Sequence, residues 1–204
     1  VFAGIFPKDG AEVNELRDGI EKLQLSDASL TVEPERSSAL GVGFRCGLLG
    51  MLHLEIVQER LRREAGVEVL VTTPSVAYRV RKTDGVEMIT KSPLDLPERT
   101  YIDEVLEPWA KVDIVVPAEH IGSVMGLVQD RKGIYKGTEY LDKTRVLLSY
   151  EMALSMVIVD FYDALKTVTS GYGSMSYEQI DERPADVVRM DILVAEEPVE
   201  ALST

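Results

Sequence analysis

The run GVGFRCGLLGMLHLEIVQERL, residues 41–61, changes within a few positions from the pattern of a strand to the pattern of a helix. Val42, Phe44 and Cys46 alternate with glycine and arginine, which predicts a half-buried strand. Two glycines then allow a tight turn into the helix. Along that helix two apolar sets recur at i, i+3 and i+7: Leu49, Leu52 and Ile56, and Leu54, Val57 and Leu61. Together they predict one broad apolar stripe, so this helix must pack on a sheet.

The flanking segments predict a βαββαβ order around this run. Strands are predicted over 1–7, 29–35, 42–46 and 67–73, and helices over 13–23 and from 49 to about 65. Because each helix is apolar on one side only, this order predicts a ferredoxin-like arrangement with an antiparallel sheet under two helices.

A second unit with the same order begins near Trp109. Its predicted strands are 111–116, 134–141, 145–150 and 174–180, with one helix after Pro117 and one long helix over 154–168. Thr83-Asp84-Gly85 signals a hairpin between the two units. The predicted fold class is α+β: two ferredoxin-like βαββαβ domains at 1–80 and 109–183, a short connector with a hairpin at 81–108, and the start of a truncated C-terminal domain at 184–204, with an opening strand over 187–194.

The composition excludes some classes of function. A formal net charge of -13 and a pI near 4.6 argue against a protein that coats nucleic acid, because phosphate binding needs clustered positive charge. Any contact with RNA must therefore be local. The single cysteine cannot form an internal disulfide, and no run is typical of a signal peptide or a membrane span, so we expect a reducing cytoplasm.

The nucleotide-binding signature G-x-x-x-x-G-K-[ST] is absent, so we expect no nucleotide chemistry in these residues. The sequence opens at Val1 without an initiator methionine, and we interpret it as a piece of a longer protein.

The histidines and the cysteine suggest no catalytic or metal site. Cys46, at an inward strand position, is more typical of packing than of a nucleophile. His53 and Glu55 are spaced as in zinc deaminases, but the paired cysteines of that site are missing, which favours a hydrogen-bonded histidine at the edge of the core. The glycines at 41–50 favour close backbone packing over a phosphate cradle. We expect no catalytic, cofactor-binding or metal-binding residues in this chain.

One cluster of positive charge is a candidate for binding RNA. Its members, with one aromatic ring, are Arg131, Lys132, Tyr135, Lys136, Lys143 and Arg145. We expect all six at one end of the second unit, where a few cations and a ring can bind an RNA backbone. The composition alone favours the alternative, a solvated loop.

The stretch FRCGLLGMLHLEIVQERL resembles the signature of the third domain of the elongation factor 4 (LepA) family of ribosome-associated GTPases. VFAGIFP, SLTVEPE, the SYE region and the final EEPVEALS extend the resemblance over nearly the whole chain. The short connector departs from the related elongation factor G, which has a whole extra domain at this place.

This resemblance implies the ribosome-docking part of a translation elongation factor GTPase that remodels or back-translocates ribosomes during protein synthesis. GTP, with Mg, and its hydrolysis would belong to an N-terminal domain outside these residues. The implied partners of a monomer are ribosomal RNA and proteins at the factor-binding region. The implied location is the cytoplasm, with peripheral association to the inner face of the plasma membrane.

The same resemblance bears on the candidate residues. The corresponding loop of the family faces the factor-binding region, which favours RNA contact over a solvated loop for the cationic cluster. Gly171 and Tyr172, after the long helix, are a second candidate contact by this resemblance. The loop 36–38 and Arg62 with Arg63 are weaker candidates for the small ribosomal subunit.

Two other classes of function stay open. Ferredoxin-like units often bind ligands, so a small-molecule-binding pair of regulatory domains is an alternative. A free-standing enzyme would need a convergent acid-base or nucleophile set, which two histidines and one cysteine do not supply.

Overall fold

Both halves of the chain fold in the predicted βαββαβ order. The structure, a computed structural model, describes residues 1–37 and 39–198. It divides into two units, Val1–Asp103 with the segment that starts at Asp186, and Glu104–Ala185.

The first unit is a four-stranded antiparallel sheet with two helices. Its elements are β1 (Phe2–Pro7), a 3-10 turn (Gly10–Glu12), α1 (Val13–Ser26), β2 (Thr31–Ser37), β3 (Gly41–Gly47), α2 (Met51–Arg60), a π-helical turn (Leu61–Ala65) and β4 (Val69–Val71). The strand order is β2-β3-β1-β4, with every neighbouring pair antiparallel. This is the ferredoxin-like topology that the sequence predicts.

The core of the first unit lies between one face of this sheet and the two helices. Ala3 and Ile5 of β1, Phe44 and Cys46 of β3, and Leu16 of α1 are all buried in it. Burial raises the pKa of the Cys46 thiol to about 12, so this side chain stays a neutral thiol that packs. The interpretation of Cys46 as a core residue is confirmed.

The segment 49–61, which contains α2, buries only one of its two apolar sets. Leu54, Val57 and Leu61 are 3%, 2% and 1% exposed. Leu49, Leu52 and Ile56 are instead 75%, 71% and 48% exposed. The prediction of one broad stripe is wrong, because positions two residues apart on a helix of 3.6 residues per turn are separated by about 200°. The two sets therefore lie on opposite sides of the helix.

The second face of this sheet carries a buried ion pair. Arg45 donates from Nη1 to Glu35 Oε1 (3.1 Å), and from Nη2 to Ser75 Oγ (3.1 Å) and the carbonyl of Lys91 (2.6 Å). The Arg45 and Glu35 side chains are only 10% and 16% exposed. Burial raises the pKa of Glu35, although the neighbouring guanidinium opposes that rise. Arg45 thus attaches the segment that follows β4 to the sheet.

The predicted hairpin follows β4. Strands β5 (Tyr78–Lys82) and β6 (Glu87–Thr90) are antiparallel, and Gly85 adopts the positive φ of 85° that their turn requires. Two 3-10 turns follow, Pro93–Asp95 and Arg99–Tyr101.

The second unit repeats the architecture of the first. Its elements are β7 (Ile102–Pro117, which begins in the first unit), a 3-10 turn (Ala118–His120), α3 (Ile121–Asp130), β8 (Ile134–Tyr140), β9 (Arg145–Ala153), α4 (Leu154–Ile158), α5 (Phe161–Val168) and β10 (Ser174–Pro184). Pairing gives the order β8-β9-β7-β10, again antiparallel throughout. The fold class predicted from the sequence is confirmed.

The long helix predicted over 154–168 is broken in two. α4 ends at Ile158, Val159 is extended, and Asp160 has a φ of 54° before α5 begins. Arg131 Nη1 donates to the carbonyls of Val159 (2.9 Å) and Met156 (3.3 Å), which satisfies acceptors left free where α4 ends.

Two boundaries also differ from the sequence prediction. The limit drawn at 108 falls inside β7, where Pro108 lies opposite a register shift between Gln179 and Glu182, a position in a sheet that tolerates proline. Within 187–194 only β11 (Leu193–Val194) is a strand, and it pairs with β12 (Glu197–Pro198). Residues 199–204 and Ser38, which belong to predicted features, lie outside the described residues.

Candidate functional site

The RNA-contact candidates of the second unit lie at two opposite ends of its sheet. Ile134, at the start of β8, pairs with Glu151, and Tyr140, at its end, pairs with Val146. The 131–132 turn precedes this strand, and the 143–145 turn follows it. Seven residues of strand separate the two turns by about 20 Å. The expectation that the six cluster members share one end is therefore wrong.

Gly171 and Tyr172 share an end with Lys143 and Arg145. Arg145 pairs with Pro117 at the end of β7, and Ser174, just after the glycine-tyrosine turn, pairs with Val115 of the same strand. The amide of Ala118 also donates to the carbonyl of Thr144 (2.8 Å). We call residues 118–120, 141–145 and 169–173 the turn end, and residues 131–136 the opposite end.

The first turn of the turn end is organised by Asp142. Its Oδ1 accepts from the amides of Thr144 and Arg145 and from the Thr144 hydroxyl, each at 2.8 Å, and its Oδ2 accepts from Arg145 Nε at 2.8 Å. The Thr144 amide, with these other donors, holds the pKa of Asp142 well below its usual range. Arg145 is thus neutralised locally. Lys143 is exposed at the tip and makes no ion pair within the described residues.

Hydrogen bonds of Thr169 fix the second turn of the turn end, residues 169–173. This fully buried side chain donates to the carbonyl of Leu165 (2.6 Å) and accepts from the amide of Gly173 (2.8 Å). Gly171 adopts a φ of 86°, which favours glycine. Tyr172 projects from this fixed turn with 72% of its surface exposed. A rigid backbone therefore presents an exposed ring to solvent.

Two further groups lie near the turn end that sequence reasoning did not select. Lys166 Nζ donates to the carbonyl of Gly171 (3.2 Å) and lies 5.3 Å from the ring centroid of Tyr162. His120 Nε2 is 3.7 Å from Glu119 Oε1. The signal for Lys166 was available, because a cation in the last turn of a helix lies beside the loop that follows.

At the opposite end most of the candidates are engaged within the protein. Besides the helix-end contacts of Arg131, Lys136 pairs with Glu151 (3.0 Å), which also accepts from Arg183 (2.7 Å). Tyr135 packs edge-on against a buried tyrosine and donates its hydroxyl to Thr138 (2.9 Å). Lys132, with a φ of 56°, is exposed and is the cation of this group with no ion pair in the described part of the chain.

We expect Arg131 to act on stability. Replacing it with alanine leaves the carbonyls at the end of α4 without this donor and should lower the unfolding free energy by about 1–2 kcal/mol. Urea denaturation measures this loss. Lys143→Ala removes an unpaired surface cation and should change stability by less than about 0.5 kcal/mol. An Arg131→Ala protein as stable as the parent would show that the helix-end contacts contribute nothing.

The weaker candidates of the first unit are also largely paired. Arg62 and Arg63 both contact Glu59, and the Arg62 hydrogen bond is the main reason why the pKa of Glu59 falls to about 2. Arg36 is exposed in β2. These contacts leave little free positive charge at Arg62 and Arg63.

His53 is the hydrogen-bonded residue at the core edge that the sequence predicts. Its side chain is 11% exposed, with Nε2 2.7 Å from Asp27 Oδ2, and its Nδ1 accepts from the amide of Leu49 (3.1 Å). Since Nδ1 accepts, the proton resides on Nε2 and is donated to Asp27. Across residues 1–37 and 39–198, no cluster of three or more metal-ligating side chains occurs, and no helix has the length and apolar character to cross a membrane.

Comparison with known proteins identifies both units. Residues 1–73 match the family described as Elongation Factor G, domain III, and residues 104–193 match Elongation factor G C-terminus. Proteins named Elongation factor 4 from Ruminiclostridium cellulolyticum and Acetivibrio thermocellus are each 51% identical to this chain over 203 residues, and one from Desulforudis audaxviator is 48% identical. Each match covers 100% of this chain and 34% of the relative, so the chain spans about a third of their length.

A crystal structure of a protein from Thermus thermophilus shares the fold. It matches 91% of this chain and 40% of its own, with a TM-score of 0.58 and 20% sequence identity. None of these similarities supports the small-molecule-binding alternative. The chain belongs to the elongation factor 4 family of translation factors.

Proposed function

We propose that these residues form the ribosome-docking part of a translational GTPase, and that the turn end of the second unit contacts ribosomal RNA. GTP, with Mg, binds in another domain of the same polypeptide and is hydrolysed there. The protein acts as a monomer in the cytoplasm, where it remodels or back-translocates ribosomes. Peripheral association with the inner face of the plasma membrane rests on the family resemblance alone.

The observation that carries this proposal is the pairing of a free cation and an exposed ring at one end of a rigid unit. Lys143 is unpaired at the tip of one turn, and Tyr172 projects from a second turn fixed by a buried hydroxyl. The first turn follows β8 and the second turn precedes β10. These are the two edge strands of the order β8-β9-β7-β10, so three strand spacings, about 14 Å, separate them. A lysine positions a phosphate, and a tyrosine stacks on an unpaired base, so both fit one short RNA segment.

Arg145 and Gly171 contribute to this surface in other ways. Arg145 keeps Asp142 neutralised beside the incoming phosphate, and Gly171 allows the turn that projects the tyrosine. At the opposite end Lys132 is a second candidate contact, with Arg131, Tyr135 and Lys136 shaping its surroundings. We expect this second contact to be weaker, because Lys136 pairs with Glu151 and Arg131 bonds to the end of α4, which leaves Lys132 as the cation without a side-chain hydrogen bond or ion pair among the described residues.

Binding of the full-length protein to ribosomes tests the proposal. Tyr172→Ala should weaken binding about 5- to 100-fold at every salt concentration, because it removes base stacking. Lys143→Glu should weaken binding most at low salt and reduce the slope of log K against log salt by about 1, because it removes one phosphate contact.

Lys22→Glu is the matched control. It makes the same change of charge on the exposed side of α1, in the other unit, and should leave affinity and salt slope unchanged. Full affinity in a Lys143→Glu/Tyr172→Ala double variant would contradict the proposed contact.

A further inference from the structure

A cavity of about 70 Å³ lies in the first unit, beside the hairpin of β5 and β6. Its wall is formed by side chains from two stretches that are far apart in sequence, one within residues 75–96 and the other at 187–189. Val76, Leu96 and Val187 are among its apolar members. Val188 also belongs to the wall and is 69% exposed, so the cavity reaches the surface of the protein. We call it the connector cavity.

One hydroxyl in this wall has no hydrogen-bond partner. Thr90, the last residue of β6, is 2% exposed, and its Oγ1 makes no hydrogen bond within residues 1–37 and 39–198. Two other hydroxyls of the wall are engaged. Ser75 Oγ donates to the carbonyl of Lys91 (3.2 Å), and Ser92 Oγ accepts from the next-but-one amide (3.4 Å). Since buried hydroxyls in folded proteins are nearly always paired, Thr90 is a donor available to a molecule in the cavity.

The surroundings of Thr90 favour a mostly apolar ligand over water. A buried water needs about two to four polar partners. The connector cavity instead offers one unpaired hydroxyl among valine, leucine and proline side chains. Its volume also limits the size of the ligand. Benzene occupies an apolar cavity of about 150 Å³, so one of about 70 Å³ holds about three to five non-hydrogen atoms.

The charges at the rim do not favour an anion. Lys91 and Arg189 are the cations that line the cavity in the described part of the chain. Lys91 Nζ lies 2.7 Å from Glu33 Oε1, and Arg189 Nη2 lies 3.0 Å from Asp191 Oδ2. Because both cations already have an acidic partner, a carboxylate or a phosphate gains little by binding beside them. The ligand that fits this cavity is therefore neutral.

We infer that the connector cavity binds a small, neutral and mostly apolar molecule, such as a short ketone, that accepts one hydrogen bond from Thr90. This ligand contacts both stretches of the wall, so its binding stabilises the packing of residues 187–189 on residues 75–96. The inference is independent of the proposed function, because the cavity lies in the first unit and the proposed RNA contact lies in the second.

Xenon and acetone test this inference in the full-length protein. Xenon probes the apolar volume alone, whereas acetone also accepts a hydrogen bond. Each is titrated into protein with isotope-labelled valine methyl groups, and the shift of the Val76 methyl resonances gives its dissociation constant. We expect both to bind. Thr90→Val keeps the shape of the side chain but removes the hydroxyl, so it should weaken acetone binding about 5-fold and change xenon binding by less than about 2-fold.

Thr83→Val is the matched control. It makes the same chemical change at an exposed position of the same hairpin, outside the cavity wall, and should leave both dissociation constants unchanged. Three results would overturn the inference. If neither probe shifts the Val76 resonances, the cavity takes no ligand of this class. Binding of xenon without acetone would show that no acceptor reaches Thr90. Acetone binding that Thr90→Val leaves unchanged would show that the hydroxyl has no part in recognition.

Discussion

An Arg45→Met protein should lose about 3 kcal/mol of unfolding free energy near neutral pH. The substitution keeps the apolar stem but removes the guanidinium that contacts Glu35, Ser75 and the carbonyl of Lys91. It leaves the Glu35 carboxylate mostly buried and without its counter-ion, which is the costly outcome for a buried pair. Urea denaturation of both proteins gives the difference.

The loss should depend on pH in a defined direction. Burial already raises the pKa of Glu35 in the folded protein, and removing the opposing guanidinium raises this pKa further. A carboxyl whose folded pKa lies above its unfolded pKa destabilises the fold above the folded pKa, and this effect disappears as pH falls to the unfolded pKa. The deficit of Arg45→Met should therefore shrink as the pH falls from neutral toward the ordinary pKa range of a glutamate. A deficit that stays constant over this range would show that the buried carboxylate is not its cause.

The double variant Arg45→Met/Glu35→Met is the matched control. Replacing both partners by apolar side chains removes the unpaired charge and should recover part of the lost stability. A double variant less stable than Arg45→Met would contradict this explanation.

Gly43→Ala is the second substitution with a large expected effect, again about 3 kcal/mol of unfolding free energy. An added Cβ would lie 2.6 Å from the backbone carbonyl oxygen of Ile5 and would overlap the Phe6 ring. The main chain cannot retreat, because β3 is paired on both sides, with β1 and with β2. The glycine at this position therefore serves close packing of backbone and ring, as the sequence suggests, in place of binding a phosphate.

Chemical denaturation checks this result against Gly10→Ala. An added Cβ at Gly10 meets no atom within 4 Å, so that protein should retain its stability to within about 0.5 kcal/mol. Equal stability of the two variants would mean that the tight contact at Gly43 relaxes without cost.

Hydrophobic periodicity was sufficient to predict the element order of both units. Periodicity gave a wrong prediction at two places, the α2 segment and the segment of α4 and α5. Along residues 49–61 the sets that begin at Leu49 and Leu54 each keep helical spacing, but they lie on different sides of the helix, as the two-residue separation of Leu52 and Leu54 shows. In the second unit the apolar positions of α4 and α5 continue across Asp160, so spacing alone does not reveal the break. At this break Arg131 donates to the carbonyl of Val159, from which it is 28 positions distant in sequence.

The candidate site was predictable as a set of residues but not as a surface. Residues 131–136 and Lys143 are close in sequence. The length of the strand predicted between them already implies that the two turns lie at opposite ends of the sheet. Strand pairing decides which cations remain without an ion pair, because it brings acidic side chains such as Glu151 of β9 beside Lys136 of β8. Likewise, Arg45 alternates with apolar residues as an exposed strand position does, but Glu35 and the segment beyond β4 contact its guanidinium.

Hydroxyl-radical cleavage from an iron chelate, attached at a single introduced cysteine, tests most directly whether the turn end of the second unit lies against ribosomal RNA. The full-length protein is bound to ribosomes with Lys143→Cys or with Lys132→Cys, and the buried Cys46 leaves little background. We predict strong, localised cleavage of ribosomal RNA from position 143 and weak cleavage from position 132. Cleavage from position 132 with none from position 143, or none from either, would contradict the proposed contact.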